Sequence, residues 1–299
     1  MQKALIIFNP VSGKEESGNP LPKLINQMVK DGYRVEVHAT QKQGDATETC
    51  ADRGREIDLL VALGGDGTLS EVCGGLLRIA PDRRPELGYL PTGSTNDFAN
   101  GIGLSDHTLD EQILIASHGQ AQDIDMGLLN DRSFIYVAGF GVFTSVSFRT
   151  SQEDKNVFGK FAYFREGMKD LGKMQGKRIR IQYDGGRLEG TYLLGLISNS
   201  ESVAGLKQLT QKTHYSDGKF EVLLVDDEDG ALGTLSTFKD ILIGNQKNEH
   251  MHRFRASQLL IESEEELSYT LDGEDGGSYH KVAIKVVEKA VKIRLDYRR

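Results

Sequence analysis

Hydrophobic positions in the first third of the chain alternate between two periods. Ala4 to Phe8 is a short apolar run that closes in Asn9-Pro10, the pattern of a buried strand. Leu21 to Lys30 carries Leu21, Leu24, Ile25 and Met28 at helical spacing, and Gly32 marks its end. Tyr33 to Ala39 sets Val35 and Val37 between charged neighbours, as an exposed-edge strand would. Asp45 to Arg55 predicts a helix, and Asp58 to Leu63 another buried strand that runs straight into Gly64-Gly65-Asp66-Gly67. Strands separated by helices imply a parallel sheet with helices on its faces.

The pattern changes after about Gly127. Ser133 to Ala138, Arg178 to Tyr183, Tyr192 to Ser198, Phe220 to Val225 and Val282 to Val287 are short runs rich in β-formers. Turn residues such as Asp184-Gly185-Gly186 and Asp217-Gly218 separate many of them. Helical stretches near Phe158 to Leu171 and Leu232 to Ile243 interrupt the series. The expected organisation is an α/β domain over residues 1–128 and a domain of antiparallel strands over 129–299, the last strand being a candidate to return to the first domain. No repeat or low-complexity linker separates them, so they are expected to abut and leave a cleft for chemistry.

Composition narrows the function. A hydrophobic fraction of 38% and a charged fraction of 27% are ordinary for a globular protein. The net charge of -8 excludes a general nucleic-acid binder, whose affinity rests on neutralising phosphates. Cys50 and Cys73 have no metal-ligand spacing and read as reduced thiols. No run approaches a membrane span, and the apolar N-terminal run is too short for a signal peptide. A cytoplasmic protein is expected. If its substrate is a lipid, it meets it by transient peripheral contact, oriented by local basic residues such as Lys173, Lys177, Arg178 and Arg180.

Gly64-Gly65-Asp66-Gly67-Thr68-Leu69-Ser70-Glu71-Val72 is the sharpest motif. Glycines between a strand and a helix let the backbone approach an anion, and helix-start N–H groups bind phosphate. Asp66 makes sense there if a divalent cation bridges it to the phosphates. A tight strand-to-helix turn with a solvated Asp is the plainer reading; neither the dinucleotide fingerprint nor the P-loop pattern is met. Pro91-Thr92-Gly93-Ser94-Thr95-Asn96-Asp97-Phe98-Ala99 follows a second apolar run and offers hydroxyls, an amide and a carboxylate, or else a simple helix N-cap. Asn9-Pro10-Val11-Ser12-Gly13-Lys14 is a third loop of this kind. Far downstream, Leu271-Asp272-Gly273-Glu274 could supply a general base, or be a charged β-turn.

Together these motifs, in this order, resemble the diacylglycerol kinase catalytic-domain family, especially its soluble bacterial lipid kinases, over nearly the whole chain. The resemblance implies an N-terminal α/β domain of the phosphofructokinase and NAD-kinase type and a C-terminal antiparallel β-sandwich. It implies ATP and Mg as cofactors, a diacylglycerol-like lipid as substrate, and allows a homodimer. Asn9, Pro10, Val11, Ser12 and Gly13 would line the nucleotide site, with Thr40 beside the base or ribose. Gly65, Asp66, Gly67, Thr68, Leu69, Ser70 and Glu71 would cradle the phosphates, with Asp66 close to catalytic Mg and Ser94 on the nucleotide. Asp97 would stand near the transferred phosphoryl group, and Asp125 matches a family acidic position near the domain junction. Glu274 would be the general base with Asp272 beside it. Asp217, with carbonyls of His214 and Lys219, matches a segment that holds a structural Mg, although an Asp-Gly hairpin turn explains the same residues. Ser70 stands where the family has Asn, and the second loop reads Gly-Ser-Thr-Asn-Asp where Gly-Thr-x-Asn-Asp is commoner. Phe140 to Thr144 lacks an acidic residue, and Ser200 to Gln211 is less glycine-rich. A sphingoid base, phosphatidylglycerol or a small alcohol is the rival acceptor, and a non-catalytic nucleotide-binding regulator the rival class.

Overall fold

The apolar runs of the first third become neighbouring parallel strands. The computed structural model describes residues 1–12, 19–141, 175–199, 202–203, 206–207, 215–227, 237, 240 and 248–296. By contact density the chain divides into Met1–Met126 with Glu288–Arg299, and Gly127–Val287.

The first unit runs β1 (Lys3–Phe8), α1 (Leu21–Lys30), β2 (Arg34–Ala39), α2 (Asp45–Arg53), β3 (Leu59–Gly64), α3 (Asp66–Leu77), β4 (Glu86–Pro91), α4 (Asp97–Gly101), α5 (Leu109–His118) and β5 (Gln120–Leu129), the last crossing into the second unit. Its sheet has the order β2–β1–β3–β4, all parallel, and the end of the chain's final strand adds a further parallel neighbour with Ile293 opposite Leu87. Ala4, Ile6, Leu59, Val61 and Leu63 pack with Leu24 and Met28 of α1 and Ile113 and Ala116 of α5. The alternate residues Leu5, Ile7, Leu60 and Ala62 face the other side and are equally buried. Burial on both faces is why β1 and β3 read as continuous apolar runs. β2 lies at the sheet edge, and its residues are exposed or half-buried. Thr108 and Glu111 form a capping box that starts α5. Cys50 and Cys73 are buried and form no disulfide, and burial pushes the Cys50 thiol up to about 12, which disfavours its thiolate.

The second unit contains β6 (Arg132–Phe134), β7 (Val137–Gly141), β8 (Lys177–Tyr183), β9 (Gly186–Ser198), β10 (Ser202–Val203), β11 (Leu206–Lys207), β12 (Phe220–Asp226), β13 (Met251–Ala256), β14 (Gln258–Leu271) and β15 (Glu274–Leu295), whose end belongs to the first unit. Its main pairings are antiparallel, in the order β13–β12–β9–β7–β14–β15. β8 bridges the first halves of β9 and β14. Thus β9 and β14 each serve two layers, and the register of β14 breaks between Glu262 and Leu267, where it changes partner from β8 to β7. The layers close on Phe134, Phe140, Ile181, Ile197, Phe220, Leu224, Ile261 and Tyr269.

One expected strand is divided. Ser133 to Ala138 reads as a single run, but pairing stops between Phe134 and Val137. The backbone N–H groups of Ile135, Tyr136 and Val137 donate to a side chain, the Asp272 carboxylate, instead of to a neighbouring strand. The helix expected near Phe158 to Leu171 lies outside the described residues, and of Leu232 to Ile243 only Thr237 and Asp240 are described, both helical. Among the described residues no helix is long and apolar enough to cross a membrane.

Candidate active site

In the first unit, parallel pairing brings the carboxyl ends of β1, β3 and β4 side by side, and each ends in one of the glycine-bearing loops. Asn9 starts the first loop. Its backbone N–H reaches Leu63 O at 3.1 Å, its Oδ1 accepts Val11 N, and its carbonyl accepts Ser12 N and Oγ. Ser12 Oγ lies 3.1 Å from Thr92 Oγ1, linking the β1 loop to the β4 loop. Thr92 N donates to Gly64 O at 2.9 Å, which links the β4 loop to the β3 loop. Gly65 and Gly93 then meet face to face: a Cβ on Gly93 would come within 2.6 Å of Gly65 Cα, so Gly93 must be glycine, and a Cβ on Gly65 would sit tightly at 3.2 Å from Gly93 Cα. Thr40 N donates to Phe8 O and joins the end of β2 to this row.

The helix α3 begins at Asp66 with no side chain capping it from the N-cap residue Gly65, so the N–H groups of Gly67 and Thr68 and the positive end of the helix dipole are available to an anion. Leu69 and Thr68 are buried and can contribute only backbone. Ser70 is half-buried and Ser94 exposed. Glu71 has a different task from the one expected of it. Its carboxylate accepts Gly44 N at 2.8 Å and Ala46 N at 3.2 Å, and its carbonyl accepts Thr47 Oγ1. An anionic Glu71 facing phosphate would be repelled; turned to α2 it caps that helix and fixes the loop that follows Thr40.

Asp66 caps α4 in the same way. Its two oxygens accept Asp97 N at 3.0 Å and Phe98 N at 3.2 Å. Burial raises its pKa against the opposing effect of these bonds. Asp97 is 4% exposed. Burial, with the charges of Asp66, Cys73 and Asp97, pushes the Tyr89 phenol well up, and the Tyr89 hydroxyl is buried with no hydrogen-bond partner. Asn96 sits in the left-handed region at φ 50 and donates Nδ2 to Gly93 O at 2.8 Å, while its buried Oδ1 accepts nothing. An underused amide oxygen beside the half-buried Asp66 carboxylate is a pair of oxygen acceptors that fits a hydrated divalent cation. Among the described residues no three His, Cys, Asp or Glu side chains cluster to hold a metal alone. Asp125 is 1% exposed and accepts Lys289 N at 2.7 Å, with Lys289 at φ 48. It anchors the chain's last strand within the first unit.

In the second unit, Asp272 (φ 51) and Gly273 (φ 85) form the two-residue turn of the β14–β15 hairpin, with Leu271 opposite Glu274. Both carboxylates were candidates for a base, and the turn separates them. Asp272 is 4% exposed; its Oδ2 accepts Ile135 N at 2.8 Å and its Oδ1 accepts Tyr136 N and Val137 N at 3.0 and 3.1 Å. Its own N–H donates to Val137 O. Glu274 is exposed. Tyr136 O in turn accepts Asn199 N and Ser198 Oγ.

Asp217 accepts Lys219 N at 3.1 Å and forms an ion pair with Arg255, which also binds Glu221 through Nε at 2.7 Å. Gly13 and His214 lie outside the described residues. Sequence reasoning missed Thr92, Tyr89 and Arg255. The first two lie inside or beside a recognised motif, whereas no local signal marks Arg255.

Residues 3–129 match the family model of the diacylglycerol kinase catalytic domain, and residues 137–294 match that of the YegS C-terminal NAD kinase beta sandwich-like domain. The chain is 32% identical over 283 residues to a diacylglycerol kinase of Bacillus subtilis (strain 168), covering 93% of this chain and 91% of that one. It is 35% identical to a diacylglycerol kinase of Staphylococcus carnosus (strain TM300), covering 92% and 90%. A crystal structure of a diacylglycerol kinase from Bacillus anthracis str. Sterne shares the fold, with a TM-score of 0.76 at 23% identity over 99% of this chain and 97% of that one. Three interlocked phosphate-type loops on a parallel sheet, followed by a β-sandwich-like unit, are thus the parts of a known lipid-kinase architecture, and the chain belongs to the diacylglycerol kinase family.

Proposed function

We propose that this chain transfers the γ-phosphoryl group of ATP to the free hydroxyl of diacylglycerol, giving phosphatidic acid and ADP. The observation that carries the reading is the uncapped start of α3 held between two glycine-locked loops, with the half-buried Asp66 at its first residue. Such a turn suits a polyphosphate. The relatives at 32% and 35% identity, both diacylglycerol kinases, support the choice of lipid.

Unit 1 would bind and orient the nucleotide. Asn9, Ser12 and Thr40 line the strand ends, and the α3 N–H groups meet the phosphates. Asp66 would hold magnesium, with Asn96 Oδ1 and Asp97 as neighbouring acceptors; when bound, that ion supplies positive charge against the transferring phosphoryl group. Glu274 would take the acceptor's proton. Its exposure leaves it available to a substrate, whereas Asp272 has three N–H donors on its carboxylate and serves to position the turn. As the lipid O–H proton passes to Glu274, the alcohol oxygen bonds to the γ-phosphorus and the bond to the β–γ bridging oxygen breaks. ADP leaves with that electron pair.

Labelled-ATP transfer across a lipid panel in mixed micelles tests the reading. Diacylglycerol is expected to be the preferred acceptor. Preferential labelling of a sphingoid base, of phosphatidylglycerol or of a soluble alcohol would move the assignment to that acceptor, and no transfer to any acceptor would favour a nucleotide-binding regulator.

A further inference from the structure

The resemblance implies a structural magnesium at Asp217. The residues there do not fit one, and we infer that the Arg255 guanidinium occupies the cation's place in this chain, so that the second unit is closed by an Asp217–Arg255–Glu221 ion cluster rather than by a metal.

The geometry begins with register. β12 and β13 are antiparallel, and Glu221 lies directly opposite Arg255. The cross-strand pair joins Arg255 Nε to Glu221 Oε1 at 2.7 Å, with Glu221 8% exposed. The turn entering β12 brings Asp217 to the other edge of the same guanidinium, where Nη2 meets Oδ2. Oδ1 of Asp217 accepts Lys219 N. A guanidinium offers several donors in one plane, so one Arg can serve two carboxylates at once. Arg253, on the same strand, adds a second positive charge acting on Glu221. The carboxylates of Asp217 and Glu221 are therefore balanced by Arg255 and Arg253. Magnesium at Asp217 would have to sit beside a guanidinium already bound to that carboxylate, and would leave the cluster with excess positive charge. It also demands near-octahedral oxygen ligation, whereas Asp217 Oδ2 is already taken by the guanidinium and Oδ1 by Lys219 N. The short Asp-Gly turn is retained, but its counter-ion is covalently part of the fold.

The test is thermal unfolding of the nucleotide-free full chain with EDTA or with millimolar Mg²⁺, for wild type and Asp217→Asn. A structural ion near saturation would raise Tm by about 5 °C or more. The expected result is no metal-dependent difference between the two proteins; any shift from an ion elsewhere, such as at Asp66, appears equally in both. Arg255→Gln is expected to lower Tm by roughly 3–6 °C, the effect of breaking a partly buried pair. It should also create a Mg²⁺-dependent rise in Tm that a second change, Asp217→Asn, removes. A chelator-induced fall in wild type that Asp217→Asn lacks would overturn the inference, as would an unchanged Tm in Arg255→Gln. If those variants fail to fold, elemental analysis of Asp66→Asn after gel filtration in Mg-free buffer decides it: trace magnesium supports the guanidinium, and one retained equivalent overturns it.

Discussion

Asp66 and Asp272 are both acidic residues in glycine turns, and both bind backbone N–H groups across a long loop, yet they end in opposite roles. Asp66 receives two N–H donors from the start of α4, and burial still raises its pKa. It is under-compensated, and a cation would relieve it. Asp272 receives three donors from Ile135, Tyr136 and Val137, at the point where two strands part. It is structurally committed, and its exposed neighbour Glu274 is left for chemistry. What a carboxylate's hydrogen bonds leave uncompensated by burial, and not its place in a motif, separates a reactive acid from a structural one.

The largest expected effect comes from removing the under-compensated acid. Asp66→Ala should lower turnover by on the order of 10²–10³-fold or more, the scale of a lost electrostatic stabiliser. Wild-type turnover with unchanged Mg²⁺ dependence would break the comparison. Next, Glu274→Gln should reduce kcat by roughly 10²-fold while KM for ATP holds, since the amide keeps size and polarity but cannot accept the proton. Asp272→Asn should instead act on stability. It replaces charge-assisted bonds in a buried site and leaves an amide facing N–H donors, costing about 2–4 kcal/mol. A fully stable Asp272→Asn that has lost turnover, beside an active Glu274→Gln, would mean that the roles are exchanged. Smaller again is Glu71→Gln. The loop after Thr40 loses charge on its cap, so KM for ATP should rise about two- to fivefold with kcat little changed, as a few tenths to one kcal/mol of capping implies. An effect on kcat alone would return Glu71 to the phosphates.

Much of this was legible in the sequence, for local reasons. β1, α1, α2 and β3 follow from hydrophobic period because each buries residues at its own spacing. The sandwich-like unit followed from short β-rich runs with turns between them, and the family from the order of four motifs. What could not be read was which group each polar side chain would meet. Glu71 reaches Gly44 and Ala46 because α2 and α3 pack together, and nothing near Glu71 announces it. The break after Phe134 has its cause at Asp272, in a hairpin far along the chain. Arg255 finds Asp217 only through the register of β12 with β13. Tertiary pairing sets these partners.

The smallest effect is the most direct reading of Asp66. Its pKa in the folded, nucleotide-free protein is raised, chiefly by burial. Folding then favours the protonated carboxyl, so the group's stabilising contribution is present below the unfolded carboxyl's ordinary pKa and is lost as pH rises through the folded value. Asn cannot ionise, so Asp66→Asn removes that loss. The Tm of Asp66→Asn minus that of wild type should therefore become more positive as pH rises above the ordinary carboxylate range, measured without nucleotide or divalent cation. The complementary readout is activity. The ionised carboxylate is the form that can hold a cation, so the acid limb of kcat/KM should lie above the ordinary carboxylate range and move to lower pH as Mg²⁺ is raised, because ion and proton compete for the same oxygens. A Tm difference that stays flat with pH, together with an acid limb indifferent to Mg²⁺, would mean that the α4 N–H groups already satisfy Asp66 as fully as Ile135, Tyr136 and Val137 satisfy Asp272. The two carboxylates would then be alike, and the cation would have to be held elsewhere.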